Sequence, residues 1–226
     1  VTTDATHIAG VPDATDTPHA LTLPSPASGA ADTAAPAAGD TTEQTVRYWN
    51  RYVTAGGTWR RHSAGRPTSP PGEDLATMRL GLAQSVGEIF SLWPFYTTPC
   101  DGRIPALLEA EHAALALYGL HQQSRRDPMH RPRVGLGTAL ANLRHSGRFG
   151  AEALDRRVDA AANATSVAAL RHQLRGLVTQ LRTGGQPLDY DMLLGDLHDW
   201  RLPDRRRRVR RRWGLEYYAG RPEPRG

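Results

Sequence analysis

Outside the first forty residues, apolar side chains recur at three- and four-residue spacing, the period of one helix face and not of a strand. Val46, Trp49 and Val53 keep that spacing through residues 42–54, and Gly56-Gly57 breaks it. Pro71 to Asp74 opens a helix to about Ser85, and a shorter one is predicted from Gly87 to Trp93, stopping before Pro94. A helix over Ile104–His121 places Leu107, Leu108, Leu115 and Tyr118 on its apolar side. Leu136, Leu140 and Leu143 mark a helix over 135–144, and Leu154 and Val158 mark one over 151–162. The longest stripe, Val167, Leu170, Leu174, Leu177, Val178 and Leu181, predicts a helix from Ser166 to Arg182, ended by Gly184-Gly185. Asp189 is the expected N-cap of the next helix, with Leu188 and Leu193 as a hydrophobic staple and an end near Trp200. After Pro203, Leu202, Val209, Trp213 and Tyr217 fall within about 80° of one another on a helical wheel.

The expected architecture is therefore all-α, two packed helical domains behind a tail. Residues 43–133 make the N-terminal helical domain, and residues 134–226 a second domain resembling a four-helix bundle. Residues 1–42 are dominated by Ala, Thr, Pro, Gly and Asp, with five Asp and no Arg or Lys. Such a segment buries too little apolar area to offset its ordering entropy, so it reads as a disordered acidic tail. It lacks the basic start and continuous apolar stretch of a signal peptide. No apolar run reaches the ~20 residues of a membrane span. The single Cys100 excludes an internal disulfide and fits a reducing compartment, so a cytoplasmic protein is expected.

Charge sharpens this picture. All 28 basic residues are Arg and the formal net charge is +5. Residues 44–226 carry those 28 against 17 acids, a net of +11. Guanidinium forks bind phosphate oxygens in a bidentate way and stack on bases, which ammonium groups do not. The densest run is Arg205 to Arg212, interrupted only by Val209. Opposite its apolar stripe are expected Arg207, Arg208, Arg210 and Arg211, an outward cationic face. Further groups are Arg60, Arg61 and Arg66; Arg125, Arg126, Arg131 and Arg133; Arg144 and Arg148; and Arg171, Arg175 and Arg182. No helix-turn-helix, zinc finger or aromatic RNP signature accompanies them. The expected partner is a nucleic-acid backbone, bound without base readout.

Catalytic chemistry finds little support. The nine His show no metal-ligand spacing and are expected on the surface or at helix ends. Cys100 has no evident base. Asp189 and Asp191 suit a helix N-terminus, and Asp196 and Asp199 a solvated pair or partners for nearby Arg, in preference to a metal cluster. There is no phosphate-binding Gly-rich loop, and no catalytic residue, cofactor or metal is expected.

Two long stretches carry a family resemblance: GLGTALANLRHSGRFGAEALDRRVDAAANA, and LRHQLRGLVTQLRTGGQPLDYDMLLGDLHDWRLPDRRRRVRRRWGLEYYA. With VRYWNRYVTAGGTWRRHSAGRP and FSLWPFYTTP before them, they resemble the CasB family over about residues 43–220. That family is the small subunit of Cascade, the type I-E CRISPR surveillance complex. The resemblance implies a non-catalytic all-α protein of antiviral defence, present in more than one copy beside the backbone and large subunits. It implies contact with crRNA and target DNA, including the displaced strand of the R-loop. By position it carries a basic role to Arg60, Arg61, Arg144, Arg175 and Arg207 to Arg212. The sequence departs from the family at Gly176, where a second basic residue is common, and in residues 1–42, which have no counterpart. The alternative is a stand-alone helical protein that binds DNA or RNA regardless of sequence.

Overall fold

The computed structural model describes residues 46–219 except 62 and 64. The expected tail, and the first four positions of the expected opening helix, lie outside the described residues. The described helices are α1 (Tyr48–Tyr52), α2 (Gly72–Leu80), α3 (Ala106–Gln122), α4 (Leu136–His145), α5 (Ala151–Ala162), α6 (Val167–Gly184), α7 (Tyr190–Asp199) and α8 (Pro203–Tyr218). A 3₁₀ segment, Phe90–Phe95, lies between α2 and α3. Among the described residues extended pairing is limited to isolated bridges, such as Val53 with Trp59 and His130 with Leu188. The fold is all-α, as expected.

The α3 helix organises the packing. It lies against α2, α6 and α7, while α8 packs on α4 and α7, and α5 on α6. Residues 111–119 of α3 are buried without interruption, so this helix has no solvent face along its middle. The expected single apolar side therefore understates its burial. Alanines at 110, 113, 114 and 116 let neighbouring helices approach closely. One apolar core runs from Tyr48 and Trp49 through α3 to Leu170, Leu174, Leu177 and Trp213.

Helix ends follow local chemistry. The Ser166 side chain accepts from the Ala169 N–H at 3.1 Å at the start of α6. Gly185, left-handed at φ 68°, ends that helix, and its N–H donates to the Arg182 carbonyl. Asp189 caps α7 as expected: Oδ1 accepts from the N–H groups of Asp191 (2.8 Å) and Met192 (3.1 Å). Pro203 occupies the first turn of α8, where its missing N–H costs nothing.

Three elements differ from expectation. Within the described residues the opening helix starts only at Tyr48, after a non-helical Arg47 (φ −54°, ψ 147°) whose guanidinium reaches Glu111 at 2.6 Å and Thr98 at 3.2 Å, and it stops at Tyr52 before the extended Val53. The helix expected to stop before Pro94 is a 3₁₀ segment that includes it, a short geometry that tolerates one lost N–H. Leu202, placed by the wheel in the α8 stripe, is half exposed at the N-cap.

Candidate nucleic-acid interface

The arginine-rich helix shows how packing sorts like residues. Val209, Trp213 and Tyr217 are buried, and Trp213 stacks on Trp200 at 5.1 Å between centroids. Asp196 of α7 is buried opposite them and accepts from the Trp213 indole at 2.8 Å and from the Arg212 guanidinium. Burial pushes the Asp196 carboxyl up, against the pull of Arg212 and Trp213. Asp196 is thus an arginine partner, one of the two roles expected of it.

Arg207, Arg208 and Arg211 are exposed, as expected. Arg207 pairs with Asp204 one turn earlier. Among the described residues neither Arg208 nor Arg211 has a carboxylate within ion-pair distance. Arg210 departs from its expected place on the outer face. One residue, about 100°, past Val209, it turns back over Trp200, 5.4 Å from the ring centroid, and donates to the Ala164 carbonyl at 3.1 Å. Arg206 likewise donates to the Thr165 carbonyl at 2.6 Å.

The remaining expected residues divide between surface and scaffold. Arg60, Arg61 and Arg66 are exposed on the loop after α1, where the Arg60 Nε donates to the Asn50 carbonyl at 3.0 Å. Arg131 and Arg133 are exposed before α4, and Arg148 after it. Arg133 is left-handed (φ 68°), and its N–H donates to Asp189 Oδ2 at 2.6 Å. Arg171 and Arg175 line one cleft with His172 and Leu82, and Arg171 also reaches the Gln84 carbonyl at 3.4 Å. Arg144 is mostly buried and holds Asp155 through Nε at 2.9 Å and Nη2 at 3.3 Å. Tyr217 donates to the same carboxylate at 2.6 Å, which ties α4, α5 and α8 together.

Histidines are expected on the surface or at helix ends; His112, in the middle of α3, is at neither, whereas His121 lies in the last turn of α3 and His130 accepts the first N–H of α7. His112, His121 and His130 are buried. Burial lowers each pKa. The Gln84 and Gly81 carbonyls oppose it at His112, and Asp191 and Asp189 oppose it at His130. His121 is pushed down to about 3 by burial, against an opposing backbone contact at Gln186 and with help from the Arg125 and Arg182 charges. His130, Asp189 and Asp191 bring ligand-type atoms within 4.8 Å of one another. Each of the three already accepts hydrogen bonds from the fold. His130 Nδ1 accepts the Tyr190 N–H at 3.1 Å, so a neutral ring carries its proton on Nε2. Asp189 accepts three backbone N–H groups, and Asp191 accepts from Trp49 (2.9 Å) and Asn50 (2.9 Å). The cluster is a capping and docking network.

The sequence did not single out Trp59, nor the pairing of Arg125 with Arg182. These arginines line one depression with Gln123, Ser124 and Thr183. Fifty-seven positions separate them in the chain, so no local spacing signals the pair. Among the described residues no helix is long and apolar enough to cross a membrane.

The family model described as CRISPR-associated protein Cse2 matches residues 74–218 of the chain. The crystal structure of CasB from Thermobifida fusca is similar, with a TM-score of 0.54 and 34% sequence identity. The similarity covers 66% of this chain and 85% of that one. No curated protein matches the chain.

Proposed function

The chain belongs to the CRISPR-associated Cse2 family, that of the Cascade small subunit CasB, and from that premise we propose that it acts as a non-catalytic clamp on nucleic-acid backbone. In this reading it sits beside the backbone and large subunits, with a second copy of itself, along the crRNA–target duplex. It stabilises the R-loop by holding the displaced strand. Base pairing exchanged during R-loop formation is nearly balanced in energy, so a few phosphate contacts tip it. The guide reads the sequence, and this chain supplies charge.

The observation that carries the reading is the outer face of α8. Arg208 and Arg211 are exposed with no carboxylate at ion-pair distance among the described residues, on a helix anchored by Val209, Trp213 and Tyr217. A rigid row of unneutralised guanidiniums presents charge without ordering long side chains from a flexible tail. Arg60, Arg61, Arg66, Arg131, Arg133, Arg148 and Arg175 add exposed charge on the loops after α1 and around α4 and on α6. Arg144, Arg171 and Arg210 support the surface from beneath, through Asp155, Gln84 and Trp200.

The test is the salt dependence of binding to two unrelated single-stranded oligonucleotides of equal length. Backbone binding gives equal affinities and a log–log slope of ~−0.7 per phosphate engaged. A flat slope, or a large preference for one sequence, refutes it.

A further inference from the structure

We infer that the groove beside Trp59 and the guanidiniums of Arg125 and Arg182 form one site for a single nucleotide of an unpaired strand, base in the groove and phosphate on the arginines. This rests on the nucleic-acid-binding reading above and adds a specific stacking position to it.

The groove has the chemistry of a base platform. Trp59 is partly exposed, and its indole N–H donates to the Arg126 carbonyl at 2.7 Å, which fixes the ring. Pro128, Met129 and Pro187 supply apolar walls, and Arg131 closes one side. The space is about 400 Å³, within the ~300–1,000 Å³ of small-ligand sites. Flat aromatic and guanidinium surfaces accept any base, because every base has a π-face.

The second depression has the chemistry of a phosphate site. Arg182 is held by Gln123 Oε1 at 2.8 Å. Arg125 and Arg182 line the same depression, and both charges lower the basicity of buried His121. Among the described residues neither forms an ion pair, and Arg125 Nε is buried without a hydrogen-bond partner. The ends of α3 and α6 offset about half a charge each. Ser124 adds a hydroxyl at the rim, while the Thr183 hydroxyl is given to the Thr179 carbonyl at 3.0 Å.

Gly185 joins the two halves. It lines the groove, and a Cβ built on it would lie 2.8 Å from Arg125 Nη2. The guanidinium therefore reaches the groove's edge across a bare Cα. Asp127 is the acid of the groove lining and repels a phosphate there, so the phosphate belongs at the Arg125 and Arg182 end.

The test uses the full chain, a ten-nucleotide oligo-dT and its ribo-counterpart oligo-U, with intrinsic tryptophan fluorescence. Trp49, Trp200 and Trp213 are buried, so stacking on Trp59 should dominate the quenching. Trp93 is also exposed, and the Trp59→Phe variant separates its signal. Trp59→Phe should keep the affinity and lose most of the quenching. Trp59→Leu should weaken binding roughly 5- to 150-fold. Arg125→Gln with Arg182→Gln should flatten the salt slope by ~0.7. Unchanged quenching in Trp59→Phe overturns the inference even if the Leu variant fails to fold. So does an unchanged slope in the Arg pair. If oligo-dT and oligo-U both fail to bind the wild-type chain while free TMP quenches it, the site takes a free nucleotide and the strand assignment is wrong. No binding of any probe removes the parent reading instead. A ratio above ten between oligo-dT and oligo-U names the strand type.

Discussion

His121→Asn should make the fold less sensitive to acid, by an amount the burial of this one ring sets. His121 has no exposed surface, and its Nδ1 lies 3.0 Å from the Tyr190 hydroxyl, which itself reaches the Leu117 carbonyl at 3.2 Å. The folded ring titrates at about 3, against about 6.5 in the unfolded chain. For a base whose folded pKa is depressed, the unfolded state takes up the proton first. Stability is then full above about pH 6.5 and falls as pH drops toward 3. Each pH unit in that window costs ~1.36 kcal/mol, so the fall from pH 7 to pH 5 costs about 2 kcal/mol from His121 alone. That corresponds to ~4–8 °C in Tm for a fold of this size. His112 and His130 shift the same way and add to the slope. Glu111 is held below its ordinary range, where burial is outweighed by Thr98, Arg47 and Thr97, so it destabilises only below about pH 4.5. Asn keeps a donor toward Tyr190 and loses the titration. The cavity left by the smaller side chain costs the same at both pH values and cancels in the difference. Urea denaturation at pH 7 and pH 5 measures it: wild type should lose about 2 kcal/mol more than His121→Asn. Equal losses refute the account of a neutral buried imidazole.

Three further outcomes follow from the packing. Leu174 has no exposed surface, so Leu174→Ala should cost ~2–5 kcal/mol in urea denaturation. Asp189→Ala removes the acceptor for three backbone N–H groups and should cost more than the ~1 kcal/mol of an ordinary N-cap, with amide exchange speeding up at Asp191 and Met192. Arg207→Ala with Arg211→Ala should leave the thermal melt within ~2 °C of wild type, since both side chains are exposed. The same pair should flatten the salt slope of oligonucleotide binding by ~0.7 for every phosphate it no longer neutralises.

What the sequence revealed depended on how local the cause was. The α5 helix begins and ends at the expected residues, and Asp189 caps α7, because caps and apolar period are written within a few positions. The outward Arg207, Arg208 and Arg211 were legible for the same reason. Arg210 was not, because its choice of Trp200 depends on how α7 and α8 cross. Arg144 is diverted by Asp155, eleven residues away on another helix. The buried histidines were invisible because burial comes from distant neighbours: His112 sits against Gly81 and Gln84, and His121 against Tyr190. Polar residues inside α3 read as a solvent face in one dimension and prove to be internal hydrogen-bonding groups in three.

The most direct test of the central claim is co-purification. The tagged chain is expressed with its neighbouring genes and a CRISPR array, and the recovered RNA is sequenced. A discrete crRNA of guide length is expected to come down together with larger Cas proteins. Heterogeneous RNA or DNA without stable protein partners would contradict it.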